Sequence, residues 1–167
     1  TARYEGVRET IARYINAAHT HEIIFTRNAT ESINLIAASY GRAFLNEGDE
    51  IIISELEHHS NIVPWQILRD EKRIVLRVAP ISGDGELLMT EFEKLLGPRT
   101  KLVALAHMSN VLGTVLPVAE ITRLAHATGA KVLFDGCQSV THLPVDVQEL
   151  GCDFYVMERL KGIILRQ

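Results

Sequence analysis

Six polar side chains in this sequence fall directly after apolar runs that read as strands, the place where an α/β sheet exposes functional groups. The sharpest instance is Phe134-Asp135-Gly136-Cys137-Gln138-Ser139. Residues 130–134 are apolar enough for a buried strand, and Gly136 interrupts the run just behind Asp135. A carboxylate there can pair with a protonated ring nitrogen, and Gln138, three residues on, can face the same pocket with its amide. The same Asp-Gly pair also suits a plain turn cap. Asn110 ends another run, where its amide can bond a phenolic oxygen or a substrate carboxylate or simply close a turn. His58 and His59 follow residues 50–54. Adjacent in an extended segment, they point opposite ways, so only one can serve a site by stacking on an aromatic group or moving a proton; otherwise both are surface histidines. Asn28-Ala29-Thr30-Glu31 opens a helix whose free N–H groups and positive end suit an anion such as phosphate, with Thr30 adding a hydroxyl; the alternative is an ordinary N-cap. Of the five lysines, Lys161 alone follows the C-terminal end of a strand; Lys101 and Lys131 begin strands, Lys94 sits on a helix and Lys72 ends one. A lysine at that edge can form a covalent bond to a carbonyl cofactor, or it is a solvated tail residue.

The elements that must position these residues alternate. Periodicity predicts helices at 4–17, from 28 through Ile33, Leu35 and Ala37, and at 61–70, 90–96 and 117–128. It predicts strands at 22–26, 50–54, 73–78, 101–106, 131–134 and 153–156. In the first helix Tyr4, Val7, Ile11, Tyr14 and Ile15 share one face. Strand and helix in alternation imply βαβ units, hence an α/β fold with a mostly parallel, doubly wound sheet. No repeat, linker or low-complexity tract divides the chain, so residues 1–167 are expected to form one domain. The chain begins inside a helical pattern and stops soon after a strand, so it is expected to lack segments at both ends.

Composition narrows the function. The 167 residues are 47% hydrophobic and 23% charged, with a formal charge of −4 and no long basic block, which argues against a nucleic-acid or membrane surface. No 18-residue apolar stretch or basic-then-apolar leader occurs. Cys137 and Cys152 make neither a disulfide framework nor a CxxC site, and Glu57 beside the histidines has no HExxH spacing, so no metal is expected. A cytoplasmic setting follows. No GxGxxG or GxxxxGK[ST] loop follows a strand, which excludes the usual dinucleotide and P-loop sites. A carboxylate for a ring nitrogen, a stacking imidazole, an anion site and a lysine together match pyridoxal 5'-phosphate, whose ring acts as an electron sink when its nitrogen is kept protonated.

Taken together, Thr26-Arg-Asn-Ala-Thr-Glu-Ser-Ile-Asn34, Gly48-Asp-Glu-Ile-Ile-Ile-Ser54, Glu57-His-His-Ser-Asn-Ile-Val-Pro-Trp-Gln66, His107-Met-Ser-Asn-Val-Leu-Gly-Thr114, Asp135-Gly-Cys-Gln138 and Cys152-Asp-Phe-Tyr-Val156 closely resemble the SUF-type cysteine desulfurases. These are fold-type I pyridoxal-phosphate enzymes of the class V aminotransferase superfamily. The resemblance implies that His58 stacks on the cofactor ring and helps proton transfer, that Asp135 pairs with the ring nitrogen, and that Gln138 bonds the phenolic oxygen. It further implies that Asn110 contacts substrate and cofactor, that Ala29 and Thr30 cradle the phosphate, and that Lys161 carries the cofactor covalently. The implied reaction takes sulfur from L-cysteine, leaves alanine, and passes the sulfur as a persulfide toward a SUF-type acceptor protein for iron–sulfur cluster assembly, in a homodimer. A selenocysteine lyase-like sister enzyme and a degenerate, non-catalytic cofactor-binding or interaction domain are the other readings.

Two departures bear on activity. The family's Ser-Gly-His-Lys loop reads Glu158-Arg159-Leu160-Lys161 here, which keeps the lysine but sets Glu158 near a phosphate. Members of the family are more than twice as long, with their acceptor cysteine on a C-terminal domain. The expected consequences are poor cofactor retention and no turnover of cysteine by this chain. Cys137, where a small inert residue is usual, is not read as the sulfur acceptor.

Overall fold

Isoleucine-rich and β-branched runs become the centre of one six-stranded sheet because their side chains are apolar on both faces, which only a strand covered on both sides can use. The computed structural model describes residues 2–158 and the backbone of residues 163 and 164. Its strands are β1 (Glu50–Ser54), β2 (Val75–Ala79), β3 (Thr100–Ala106), β4 (Lys131–Asp135), β5 (Phe154–Glu158) and β6 (Ile163–Ile164), in the order β2-β1-β3-β4-β5-β6. The first five run parallel and β6 is antiparallel to β5. Helices are α1 (Ala2–Tyr14), α2 (Ala29–Ile36), α3 (Arg42–Phe44), α4 (Val63–Lys72), α5 (Met89–Leu95), α6 (Val118–Ala127), α7 (Ser139–His142) and α8 (Val147–Leu150); a π-helical turn, Ala37–Gly41, joins α2 to α3.

The pleat sorts the strands between two cores. Ile52, Val103, Leu105, Val132, Phe134 and Tyr155 face one layer, with Ile15, Phe92 and Ile121 packed on them. Ile51, Ile53, Leu102, Ala104, Leu133 and Val156 face the other, with Ile33, Trp65 and Leu68. Because β2 and β3 flank β1 on opposite sides, the connections out of β1 and β3 diverge. A crevice opens where they part, at the C-terminal strand ends.

Of the strand expected at 22–26, Thr26 alone forms a β-bridge. Thr20–Glu22 is a 3-10 turn, and Ile23 leaves it extended but outside any ladder, its carbonyl taken by the Arg8 guanidinium of α1. Ile23 is fully buried and Phe25 packs beside it, so the segment's apolar residues line a core rather than a sheet. The helix expected at 4–17 ends at Tyr14, with Asn16 at φ 53°, and of its apolar residues Ile15 is buried while Tyr4, Val7 and Tyr14 remain exposed. The third helix starts two residues later than expected, because His59–Asn61 forms a separate 3-10 turn ahead of Pro64.

Candidate active site

The ends of β1, β3, β4 and β5 and the start of α2 enclose a cleft of about 210 Å³. Its walls include Ala29, Thr30, His58, Asn110, Asp135 and Gln138, so six of the seven residues singled out from sequence meet at one place. Lys161 lies outside the described residues.

Each wall is held by local chemistry. Asn28 caps α2 by accepting the Glu31 N–H at 2.9 Å, and Glu31 reaches back to the Arg27 N–H. No described residue takes the N–H groups of Ala29 and Thr30, which start the helix at the cleft. His58 caps the 3-10 turn: its Nδ1 accepts the Ser60 N–H at 3.2 Å and lies 2.8 Å from Ser60 Oγ. With Nδ1 accepting a backbone N–H, the neutral ring carries its proton on Nε2. His59 does not line the cleft; its ring stands at 79° to that of His58. Asn110 rides on a tight loop in which Ser109 Oγ accepts the N–H groups of Val111 and Leu112, Ser109 N–H donates to Thr114 O, and Gly113 turns at φ 74°.

Asp135 closes β4. It is buried at 8% exposure, and its Oδ1 accepts the Cys137 N–H at 3.1 Å. Among the described residues no lysine, arginine or histidine forms an ion pair with it. A buried carboxylate on a cleft wall without a cation suits a ligand that brings a protonated nitrogen. Beneath the turn, Ser139 Oγ donates to Gly136 O at 3.2 Å and lies 2.8 Å from Tyr155 Oη, which lies 2.9 Å from His107 Nδ1. One direction satisfies the whole chain: His107 donates to Tyr155, Tyr155 to Ser139, and Ser139 to the Gly136 carbonyl. Burial drives the His107 pKa down to about 4, keeping the ring neutral. The Tyr155 ring leaves no room for a side chain at position 136, where a Cβ would fall 2.2 Å from it.

Residues that the sequence reading left out are the ones that support the walls: Ser60, Ser109, Tyr155, Ser139, His107 and Glu57. Tyr155, Ser139 and His107 meet only through side chains distant in sequence, whereas Ser60, Ser109 and Glu57 bond near neighbours, in turns whose short polar residues have no distinctive spacing. Cys137 also lines the cleft, but burial and the neighbouring Asp135 push its thiol well above the ordinary range, so it stays protonated. Glu158, at the end of β5, adds a second carboxylate, and the described part of the lining holds no lysine or arginine. The donor set therefore fits the ring of a pyridoxal cofactor well, with Glu158 as the group at odds with its phosphate.

The sheet order and this cleft belong to a known class of proteins. The aminotransferase class-V profile matches residues 1–162, and the chain belongs to that family. Within it, the chain is 56% identical over 155 residues to a cysteine desulfurase of Dickeya dadantii, covering 93% of this chain and 38% of that one. It is 54% identical over 156 residues to a probable cysteine desulfurase of Mycolicibacterium paratuberculosis, covering 93% and 23%. Its backbone is similar to the crystal structure of the cysteine desulfurase CsdA (S-sulfonic acid) from Escherichia coli, with a TM-score of 0.94, 37% identity, and coverage of 99% of this chain and 43% of that one. It is also similar, at a TM-score of 0.84 and 27% identity over 96% of this chain and 44% of the other, to a C-DES mutant with glycine covalently linked to its PLP cofactor. The chain thus spans between about a quarter and two-fifths of the length of the curated relatives. Among the described residues no helix is long and apolar enough to cross a membrane.

Proposed function

We propose that residues 1–167 form one domain, the cofactor-binding region of a pyridoxal-phosphate-dependent cysteine desulfurase. The observation that carries this reading is Asp135: a buried carboxylate with no counter-cation among the described residues, on the wall of a cleft that also gathers His58, Asn110, Gln138 and the open start of α2. Identities of 54% and 56% to proteins named cysteine desulfurases support the reaction class.

Bound here, the cofactor would supply an electron sink for carbanionic charge. Asp135 keeps the ring nitrogen protonated by a charge-assisted hydrogen bond, and the Cys137 N–H orients that carboxylate. Gln138 donates to the phenolic oxygen, and Asn110 holds cofactor and substrate. The Ala29 and Thr30 N–H groups, with the Thr30 hydroxyl, take the phosphate at the positive end of α2. His58 covers the ring face and moves protons through Nε2, since Nδ1 is committed to Ser60. Lys161 anchors the cofactor covalently. The substrate is L-cysteine, the sulfur leaves as a persulfide for a SUF-type acceptor protein in iron–sulfur cluster assembly, and the working unit is a cytoplasmic homodimer. The persulfide forms on a cysteine outside this sequence: Cys152 is buried and the Cys137 thiol is held protonated.

A second reading, a non-catalytic cofactor-binding domain, draws on Glu158, whose carboxylate opposes a phosphate. One experiment separates the two. On adding L-cysteine to the cofactor-loaded chain, the first reading expects a change in cofactor absorption that L-serine does not cause; no change with L-cysteine would favour the second. Neither reading expects alanine or sulfide from this chain alone.

A further inference from the structure

Where the paths out of β1 and β3 diverge, one side chain spans the gap between them. Glu57 Oε1 accepts the Ser54 hydroxyl at 2.6 Å and the Ala106 N–H at 3.0 Å, while Oε2 accepts the Asn61 side-chain amide at 2.7 Å. Ser54 ends β1, Ala106 ends β3, and Asn61 ends the turn that carries His58. Asn61 is fully buried and committed in every direction. Its Nδ2 also donates to Ala104 O, its Oδ1 accepts the Trp65 indole N–H at 3.0 Å, and its backbone N–H donates to His58 O at 2.8 Å. The carboxylate therefore ties two strand ends to the backbone of the residue that lines the cleft, with three donors and, among the described residues, no cation.

Two of those three donors cannot reverse. The Ala106 N–H is backbone, and the Asn61 amide is fixed by Ala104 and Trp65. Ser54 alone can turn its hydroxyl, so a proton on Glu57 has to sit on Oε1, where it weakens the bond from Ala106. Burial raises the Glu57 pKa to about 7, and the charge of Asp135 from β4 acts in the same direction. His58 and His59 are the titratable neighbours on the turn itself, and Glu55, on the β1 side, is occupied by the Ile81 N–H.

We propose that Glu57 is the positioning residue for His58, a proton-linked clamp whose ionised form locks the imidazole-bearing turn to the end of β3 and whose protonated form loosens it. The inference rests on the proposed function only in giving His58 a role. Its test needs no cofactor, so the clamp and the cofactor site can fail separately.

Trp65 is the sole tryptophan of the sequence, so its indole N–H gives one unambiguous NMR resonance at the far end of the Glu57–Asn61–Trp65 chain. In the cofactor-free chain, spectra from about pH 5.5 to about pH 8.5, which brackets the raised carboxyl, should move that resonance with a midpoint near 7. The His58 ring protons should show the same inflection. Glu57→Gln should abolish the indole transition and the matching inflection at His58. Ser54→Ala, which removes a donor to the ionised carboxylate, should move the midpoint upward, and it carries the test if the glutamine variant does not fold. An indole resonance indifferent to pH in the wild type, a transition that survives Glu57→Gln, or an unmoved midpoint in Ser54→Ala would overturn the clamp.

Discussion

In the proposed function Asp135 acts through its charge, whereas Gly136 serves the fold through its lack of a side chain, and single substitutions separate the two. Asp135→Asn keeps shape and the Cys137 contact but removes the partner for a protonated nitrogen. It should weaken pyridoxal-phosphate binding by about 1.5–3 kcal/mol, the scale of a hydrogen bond to a charged group, with urea unfolding unchanged; equal affinities would reduce Asp135 to a turn residue. Gly136→Ala does the reverse. Its methyl meets the Tyr155 ring, so stability should fall by about 1–3 kcal/mol, as for other overpacked sites, measured by the urea midpoint. Asp135, Gln138, Asn110 and His58 were legible in the sequence because each is a polar residue placed just past an apolar run, where a parallel sheet delivers it to one edge. Tyr155, Ser139 and His107 were not, because 48 residues separate His107 from the Tyr155 hydroxyl it bonds, and only the register of β3, β4 and β5 brings them together.

The ends of β1 and β3 each carry a titratable group that burial has displaced, and the two displacements oppose one another in pH. Glu57 rises from an ordinary 4.5 to about 7. Across that window the folded chain holds a proton the unfolded chain has released, so stability falls as pH rises. His107 drops from 6.5 to about 4. In its window the unfolded chain holds the extra proton, so stability is lost as pH falls. One pH unit is worth about 1.4 kcal/mol, which sets an upper bound of about 3 kcal/mol on each contribution before discounting for solvent access. The wild type should therefore show a shallow stability profile where the two windows overlap, from about pH 4.5 to about pH 6.5. Glu57→Gln should steepen the loss of stability on acidification toward pH 4, read from urea midpoints across pH; parallel profiles for variant and wild type would contradict the opposition. The elements themselves were largely legible, because β1, β3 and β4 are apolar on both faces and α6 is amphipathic. Residues 22–26 misled because apolar, β-branched composition does not distinguish a strand from an extended segment whose carbonyl is taken by an arginine on a neighbouring helix.

For the molecule as a whole, the strand order puts a crevice beside β1, and the chain has filled its rim with polar groups from five separate segments. The parallel architecture could be read from alternation alone; the pairing of the walls could not, since it depends on which strands are neighbours. The charge of the cleft is also a property of the assembled fold. Glu158 and Asp135 face it together, without a lysine or arginine in the described part of the lining, so Glu158→Ser should tighten binding of pyridoxal phosphate by on the order of 1 kcal/mol, the upper range for a partly exposed charge pair. Unphosphorylated pyridoxal should gain less, and an equal gain for both would separate Glu158 from the phosphate. The most direct test of the account is a spectroscopic titration of the 167-residue chain with pyridoxal phosphate, followed by borohydride reduction and peptide mapping. The account predicts a saturable long-wavelength band and a cofactor fixed on Lys161, both lost in Lys161→Ala. The absence of any saturable band, or an adduct scattered over the other lysines, would contradict it.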